Sequence, residues 1–317
     1  MPTDLRQLLE TLSDPALPVS DSSLETLSDL DASQLRSFQD AWATWTPARK
    51  LEVLEHLGRL ANENIELDFG RIDRLALADP DAGVRRQAIL NLWECEDSSL
   101  GQRLAALLVA DPSADVRAAA AAALGRFVYL GEVEEIDEQL LRQVEDRLIA
   151  AQRGDPDEAV RQRGLESLGY SSRSEVPALI EAAYRSGDEH EIQAGLKAMA
   201  CSANPVWEEY VLENLLHAAP GIRAEATRAA GELDILSAVD DLIDLTEDAV
   251  DQVRQAAIWS LAQIGGEAAT QALTRLLERA DNEDEAGLLE DALDYIAFVE
   301  GTRDTPLLDF DAEAPSR

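Results

Sequence analysis

The side chains able to do chemistry are few: three histidines, His56, His190 and His217, and two cysteines, Cys95 and Cys201. One His-Glu pair, His190-Glu191, sets two metal-ligand types side by side at the start of an expected helix. A single pair cannot fill the coordination spheres of two metal ions. Two cysteines build neither a disulfide framework nor a multi-cysteine metal site within one chain. No Gly-rich phosphate loop, GxSxG elbow or Cys-His-Asn arrangement is present. Carboxylates are too abundant for spacing to single out a catalytic pair. The expectation is therefore a non-enzyme with no catalytic, metal-binding or cofactor-binding residue and no cofactor.

The elements that would carry any site are legible in the composition and the periodicity. The chain has 317 residues, 46% of them hydrophobic, and 63 acidic side chains against 27 basic ones give a net charge of -36. That length exceeds a single growing core and calls for two domains or a quasi-linear stack. The negative field opposes binding to nucleic acid and to anionic membranes, and it favours solubility or encounter with a basic partner. An acidic surface suited to high salt explains the charge equally well. Low cysteine use, no leader-like N-terminal run and no apolar stretch of about 18 residues lead us to expect a cytoplasmic protein.

A frame recurs from residue 84 onward. Val84, Val116, Val160, Glu191, Ile222 and Val253 stand at position zero, spaced by 32, 44, 31, 31 and 31 residues. Arg85, Arg117, Arg161, Arg223 and Arg254 follow, with Ile192 the exception, and small residues hold the fourth position. Positions zero, four, five and eight share one face of a 3.6-residue period, so each segment is an amphipathic helix with that face buried. Asp79-Pro80, Asp111-Pro112 and Asp155-Pro156 precede three of these segments, where proline ends one helix and acidic residues cap the next. Each unit is helix A, acidic turn, helix B. No unit buries its stripe alone, so units must stack.

The expected organisation is a loosely held arm over residues 1–30, capping helices over 31–66, the stack over 67–300 and an acidic tail over 301–317. The capping pair, with Thr46 and Pro47 opening its second helix, lacks the arginine signature. The 44-residue repeat adds Phe127 to Gln139, read either as a binding loop or as lengthened helices. Residues 281–317 hold 12 acidic and two basic side chains, and Leu307-Leu308-Asp309-Phe310-Asp311 could dock in a groove.

DPDAGVRRQAI from Asp79, DPSADVRAAAAAALG from Asp111 and DPDEAVRQRGLESLG from Asp155 resemble the short HEAT-like repeats, including those of phycobilisome lyases. The resemblance implies an all-α fold, an α-α superhelix of about seven hairpins in a right-handed HEAT-type solenoid. It also implies a ladder of inter-repeat ion pairs using Asp79, Asp111, Asp155 and Asp248 with Arg85, Arg117, Arg161 and Arg254. Helix B then lines the inner wall, and positions two, three, six and ten form a groove. Those positions include Arg86, Leu90, Arg126, Arg163, Glu166, Tyr170, Lys197, Arg228, Gln255 and Trp259. They hold five basic and four acidic residues, near neutrality in a strongly acidic chain. The expected role is a protein-interaction scaffold or adaptor whose partner is a protein or peptide. The expected binding residues are Arg86, Leu90, Arg163, Tyr170, Lys197, Arg228, Gln255 and Trp259. A bilin-lyase-like enzyme, or an assembly factor for a tetrapyrrole protein, is the alternative the resemblance carries. Residues do not set the oligomeric state.

Overall fold

The computed structural model describes residues 5–280 and 282–303, and every regular element among them is helical. Two compact units divide after Val176.

The first unit contains α1 (Leu5–Leu12), α2 (Asp21–Leu24), α3 (Ala32–Trp42), α4 (Pro47–Glu63), α5 (Gly70–Ala76), α6 (Ala82–Asn91), α7 (Ser98–Ala110), α8 (Ala114–Glu132), α9 (Glu138–Gly154) and α10 (Glu158–Leu168). From α3 onward odd helices are helix A and even helices helix B. Several of the chain's aspartates start these helices. Asp81 accepts from the Val84 amide at 3.1 Å, Asp157 from Ala159 at 3.0 Å, Asp97 from Ser99 at 2.9 Å and Asp137 from Gln139 at 2.8 Å. A carboxylate at these positions satisfies orphan amides and meets the positive end of the helix dipole. Thr46 accepts from the Arg49 amide at 3.3 Å with Pro47 in the first turn of α4, as the sequence suggests.

Residues 5–30 are not the loosely held arm expected of them. Leu8, Leu12, Leu24, Leu27 and Leu30 are all buried, at 0–2% exposure. Each contributes about 1.5–3 kcal/mol of burial, enough to hold the segment down. His56 Nδ1 and Arg59 both bond Asp21, at 2.6 and 2.7 Å, and fasten α2 to α4. The Trp45 indole donates to Ser13 at 2.9 Å, and Arg49 donates to the carbonyls of Asp14 and Leu17 at 2.8 and 2.6 Å.

The insertion in the 44-residue repeat lengthens α8 and α9 and leaves only residues 133–137 between them. Phe127, Val128 and Leu130 are buried, so the extra turns extend the core. Gly131 makes the closure possible: a Cβ there would lie 2.6 Å from Leu141 Cδ1.

The second unit, which begins within α11 (Val176–Tyr184), continues with α12 (Glu189–Cys201), α13 (Glu208–Asn214), α14 (Pro220–Glu232), α15 (Val239–Leu245), α16 (Asp251–Ile264), α17 (Gly266–Leu277) and α18 (Glu283–Arg303). From α5 to α18 the helices make seven hairpins. Val160, Gly164, Leu165 and Leu168 are buried in α10, and Ile222, Ala226, Thr227 and Ala230 in α14, which is the stripe read from the periodicity. The expected C-terminal tail lies outside the described residues beyond Arg303.

Candidate functional site

Where an A–B turn carries an aspartate, as at Asp111, Asp155 and Asp248, that residue has two jobs. Its Oδ1 accepts the amide two residues on, at 2.9 Å for Asp111 to Ser113, 2.9 Å for Asp155 to Asp157 and 2.8 Å for Asp248 to Val250. It also takes a two-pronged bond from the arginine of the preceding helix B. Arg85 reaches Asp111 at 2.7 Å on both prongs, Arg117 reaches Asp155 at 2.8 Å, and Arg223 reaches Asp248 at 2.9 Å. The same arginines donate back to their own turn, Arg85 to Asp79 O at 2.8 Å and Arg223 to His217 O at 2.7 Å. Side chains in the Arg85–Asp111 rung are only 10% and 3% exposed. Removing one member of such a buried pair costs about 3–5 kcal/mol, because the other is left charged and unpaired. Burial pushes the Asp111 carboxyl up, but the Arg85 and Ser113 bonds outweigh it and hold it below the usual carboxylate range. Arg117 does the same for Asp155.

The ladder differs from its sequence reading at Asp79 and in its use of Arg223. Arg161 and Arg254 donate to the Asp155 and Asp248 carbonyls of their own turns, at 3.1 and 2.8 Å. Asp79 is served from α4 by Lys50 Nζ at 2.7 Å and from the end of α3 by the Trp42 indole at 2.8 Å. Lys50 stands at the arginine position of α4. The pair expected only to cap the stack therefore carries a rung of its own. A signature restricted to arginine passes over it.

A second register is absent from the sequence reading. Position seven of helix B donates to a carbonyl of the preceding helix B: Asn91 to Leu54 O at 2.9 Å, Ser167 to Ala121 O at 2.8 Å and Ser260 to Thr227 O at 2.7 Å. Against each sits a glycine, Gly58, Gly125 and Gly231, where a Cβ would approach to 2.4, 2.9 and 2.8 Å. The signal is a glycine nine positions after zero, followed one repeat later by Ser or Asn at seven.

These structural residues leave the outer surface of helix B for other work. In the first unit Arg86, Leu90, Arg163 and Tyr170 are exposed, with Arg163 bonded to Glu166 at 2.6 Å. Arg126 is likewise held by Glu96. In the second unit Gln255 and Trp259 are exposed, Trp259 at 37%, and Lys197 and Arg228 are half-buried. Both of these cations lean on one buried carboxylate: Arg228 meets Glu225 Oε1 at 2.8 Å and Lys197 meets it at 3.9 Å. Position three is not part of the open surface in this unit, since Ala194, Glu225 and Ala256 are buried at 2%, 6% and 3%. Helix-B packing there closes over it.

The family model for HEAT repeats matches residues 72–144 and 209–294, which is 159 of 317 residues. The chain belongs to the HEAT-repeat family. The match takes in Arg85–Asp111 and Arg223–Asp248, so two of the HEAT ladder's rungs lie inside it. Among solved structures, this HEAT chain is similar to the complex of CpcE and CpcF of phycocyanin lyase from Nostoc sp. PCC7120, at 21% identity and TM-score 0.47, over 72% of this chain and 94% of that one. It is similar to the YibA protein of Escherichia coli at 14% identity and TM-score 0.46, over 88% and 97%. Human deoxyhypusine hydroxylase follows at 18% identity and TM-score 0.37, over 93% and 96%. No curated protein matches the chain. No helix among the described residues is long and apolar enough to cross a membrane.

Proposed function

We propose that this HEAT-repeat chain is a non-enzymatic adaptor that binds a protein or peptide segment on the exposed surface of its B helices. The observation that carries the reading is on α14 and α16. Trp259 keeps a large apolar side chain partly in water, and on the neighbouring helices Lys197 and Arg228, at the same helical position, both lean on Glu225. A half-open indole on the same row of B helices as two cationic side chains suits a segment with an apolar anchor and a carboxylate. Arg86, Leu90, Arg163 and Tyr170 offer the corresponding mixture in the first unit, and Gln255 supplies adaptable hydrogen bonding in the second.

Arg85, Arg117 and Arg223 with Asp111, Asp155 and Asp248 are spent on the ladder, which supports the adaptor reading over a lyase-like one. The test is a quantitative pull-down from the native lysate with wild type and the double variant Trp259→Ala/Arg228→Glu. Loss of specific prey, with an unchanged helical spectrum, is expected. Retention of every prey rejects this surface.

A further inference from the structure

The two edges of the first unit differ in chemistry. Its A–B turns carry the aspartates and prolines of the ladder. Its B–A connections, with the last turn of α8, carry large apolar side chains in water: Ile65 at 96% exposure, Trp93 at 56%, Tyr129 of α8 at 49%, Val133 at 46% and Tyr170 at 39%. These are five of the eight exposed large apolar residues of the unit, one or two at every connection from α4 to α10.

The row is continuous. The Trp93 indole donates to Asn62 of α4 at 3.3 Å, Glu96 after Trp93 pairs with Arg126 of α8, and Tyr129 meets Tyr170 edge to face at 5.9 Å. The Ser172 amide beside Tyr170 donates to Glu132 at 2.7 Å. Nothing in the ladder or in the B-face surface uses these side chains, apart from Tyr170 at the rim.

The charge around the row is one-sided. Residues 64–69, 92–97, 133–137 and 169–175 hold nine carboxylates and one arginine. Glu66, Glu94, Glu134 and Glu135 are exposed and enter none of the ion pairs found among the described residues. Exposed apolar area ringed by unpaired carboxylates selects for an occupant that is apolar and basic at once, because an acidic or neutral chain would leave those charges uncompensated.

We propose that this edge of the first unit is a docking site for a basic, apolar-studded extended segment of a partner protein, separate from the B-helix surface described above. Packed helices lie about 8–10 Å apart. A polyproline-type chain advances about 9 Å per three-residue turn and returns the same face each time. One apolar residue in every three then meets one connection, and the lysines or arginines between them meet the glutamates. The exposed aromatic rings accept a cation on their faces as readily as an alkyl chain on their edges.

The probe is a fluorescein-labelled peptide of five Lys-Pro-Leu triplets, with Lys-Pro-Ser and Glu-Pro-Leu peptides of the same length as controls, titrated by anisotropy against the full chain. Lys-Pro-Leu should bind at least tenfold more tightly than either control. Trp93→Ser/Val133→Ser, both at exposed sites, should weaken it at least tenfold while leaving the helical spectrum intact, and Trp259→Ala should not change it. Equal binding of Lys-Pro-Leu and Lys-Pro-Ser would reduce the site to bulk charge and overturn the proposal, as would undiminished binding to the double variant or no binding at all. Sensitivity to Trp259→Ala alone would move the site to the B-helix surface and also overturn it. Failure here leaves the pull-down test of that surface untouched.

Discussion

Asp73 lies in α5 at 4% exposure and receives one hydrogen bond, from Asn91 Nδ2 at 2.8 Å. Burial pushes its carboxyl up to about 7, the nearby Asp68 charge adds to that, and the Asn91 bond only partly opposes it. The folded chain therefore holds a proton that the unfolded chain releases near pH 4. Stability contributed by this group is highest below about pH 4, falls as pH rises towards 7 and is flat above that. Each tenfold difference in proton affinity between the folded and unfolded chain is worth about 1.4 kcal/mol, so the effect is on the order of a few kcal/mol. Asp73→Asn should raise the urea midpoint at pH 8 and flatten its slope between pH 5 and 8. A variant that tracks wild type across that range would rule Asp73 out as the titrating group. The rung aspartates act in the opposite sense, since Asp111, Asp155 and Asp248 are held below their ordinary values and lose their contribution as pH falls below about 4. Glu145, buried at 2%, is pushed up like Asp73, with Ser171 donating to it.

At the scale of the helix, glycine at position nine decides how closely one helix B approaches the next. Gly231→Ala would place a Cβ 2.8 Å from the Ser260 Cα, a backbone atom that cannot swing away. Overpacking of this kind costs about 1–3 kcal/mol. Thermal melts should show Gly231→Ala clearly destabilised and Gly287→Ala, where nothing lies within 4 Å, stable or slightly improved. Equal melting of the two would remove the close-approach argument. Much at this scale is legible in the sequence. Val84, Val116, Val160, Ile222 and Val253 recur in one frame with small residues four positions on, and these are buried, while Arg85, Arg117 and Arg223 after them form rungs. The serine and glycine contacts are not legible, because each looks by itself like a weak helix former and its meaning lies in a partner one repeat away. Buried Leu8, Leu12 and Leu24 escape for a related reason: short apolar runs among prolines show no period until something packs on them. Of the proposed binding residues, spacing places Arg86, Leu90, Arg163, Tyr170, Gln255 and Trp259 on an exposed surface, but it does not reveal that Glu166 and Glu225 already occupy Arg163 and Arg228.

Along the chain the turn residue of the ladder is not always an aspartate. Counting 25 residues on from Arg223 gives Asp248, but from Arg161 the same step gives Ser186 and from Ile192 it gives His217. Ser186 Oγ and His217 Nδ1 still close their turns, accepting the Asp188 and Ala219 amides at 3.1 and 3.0 Å, so the local job does not require an aspartate. Within the second unit the missing rung lies between α12 and α14. Restoring it with Ile192→Arg/His217→Asp should show a favourable coupling of about 1–3 kcal/mol in a double-mutant cycle, neither single change stabilising alone. Zero coupling would mean that the two positions do not face each other as Arg223 and Asp248 do.

Each complete repeat offers its arginine forward and its aspartate backward. A copied stretch beginning after one such turn and ending in the next therefore arrives with both halves of a joint and satisfies its neighbours on either side. A chain assembled in this way can grow by duplication without a compensating change elsewhere, whereas a copy made from the Ser186 or His217 region would introduce a seam.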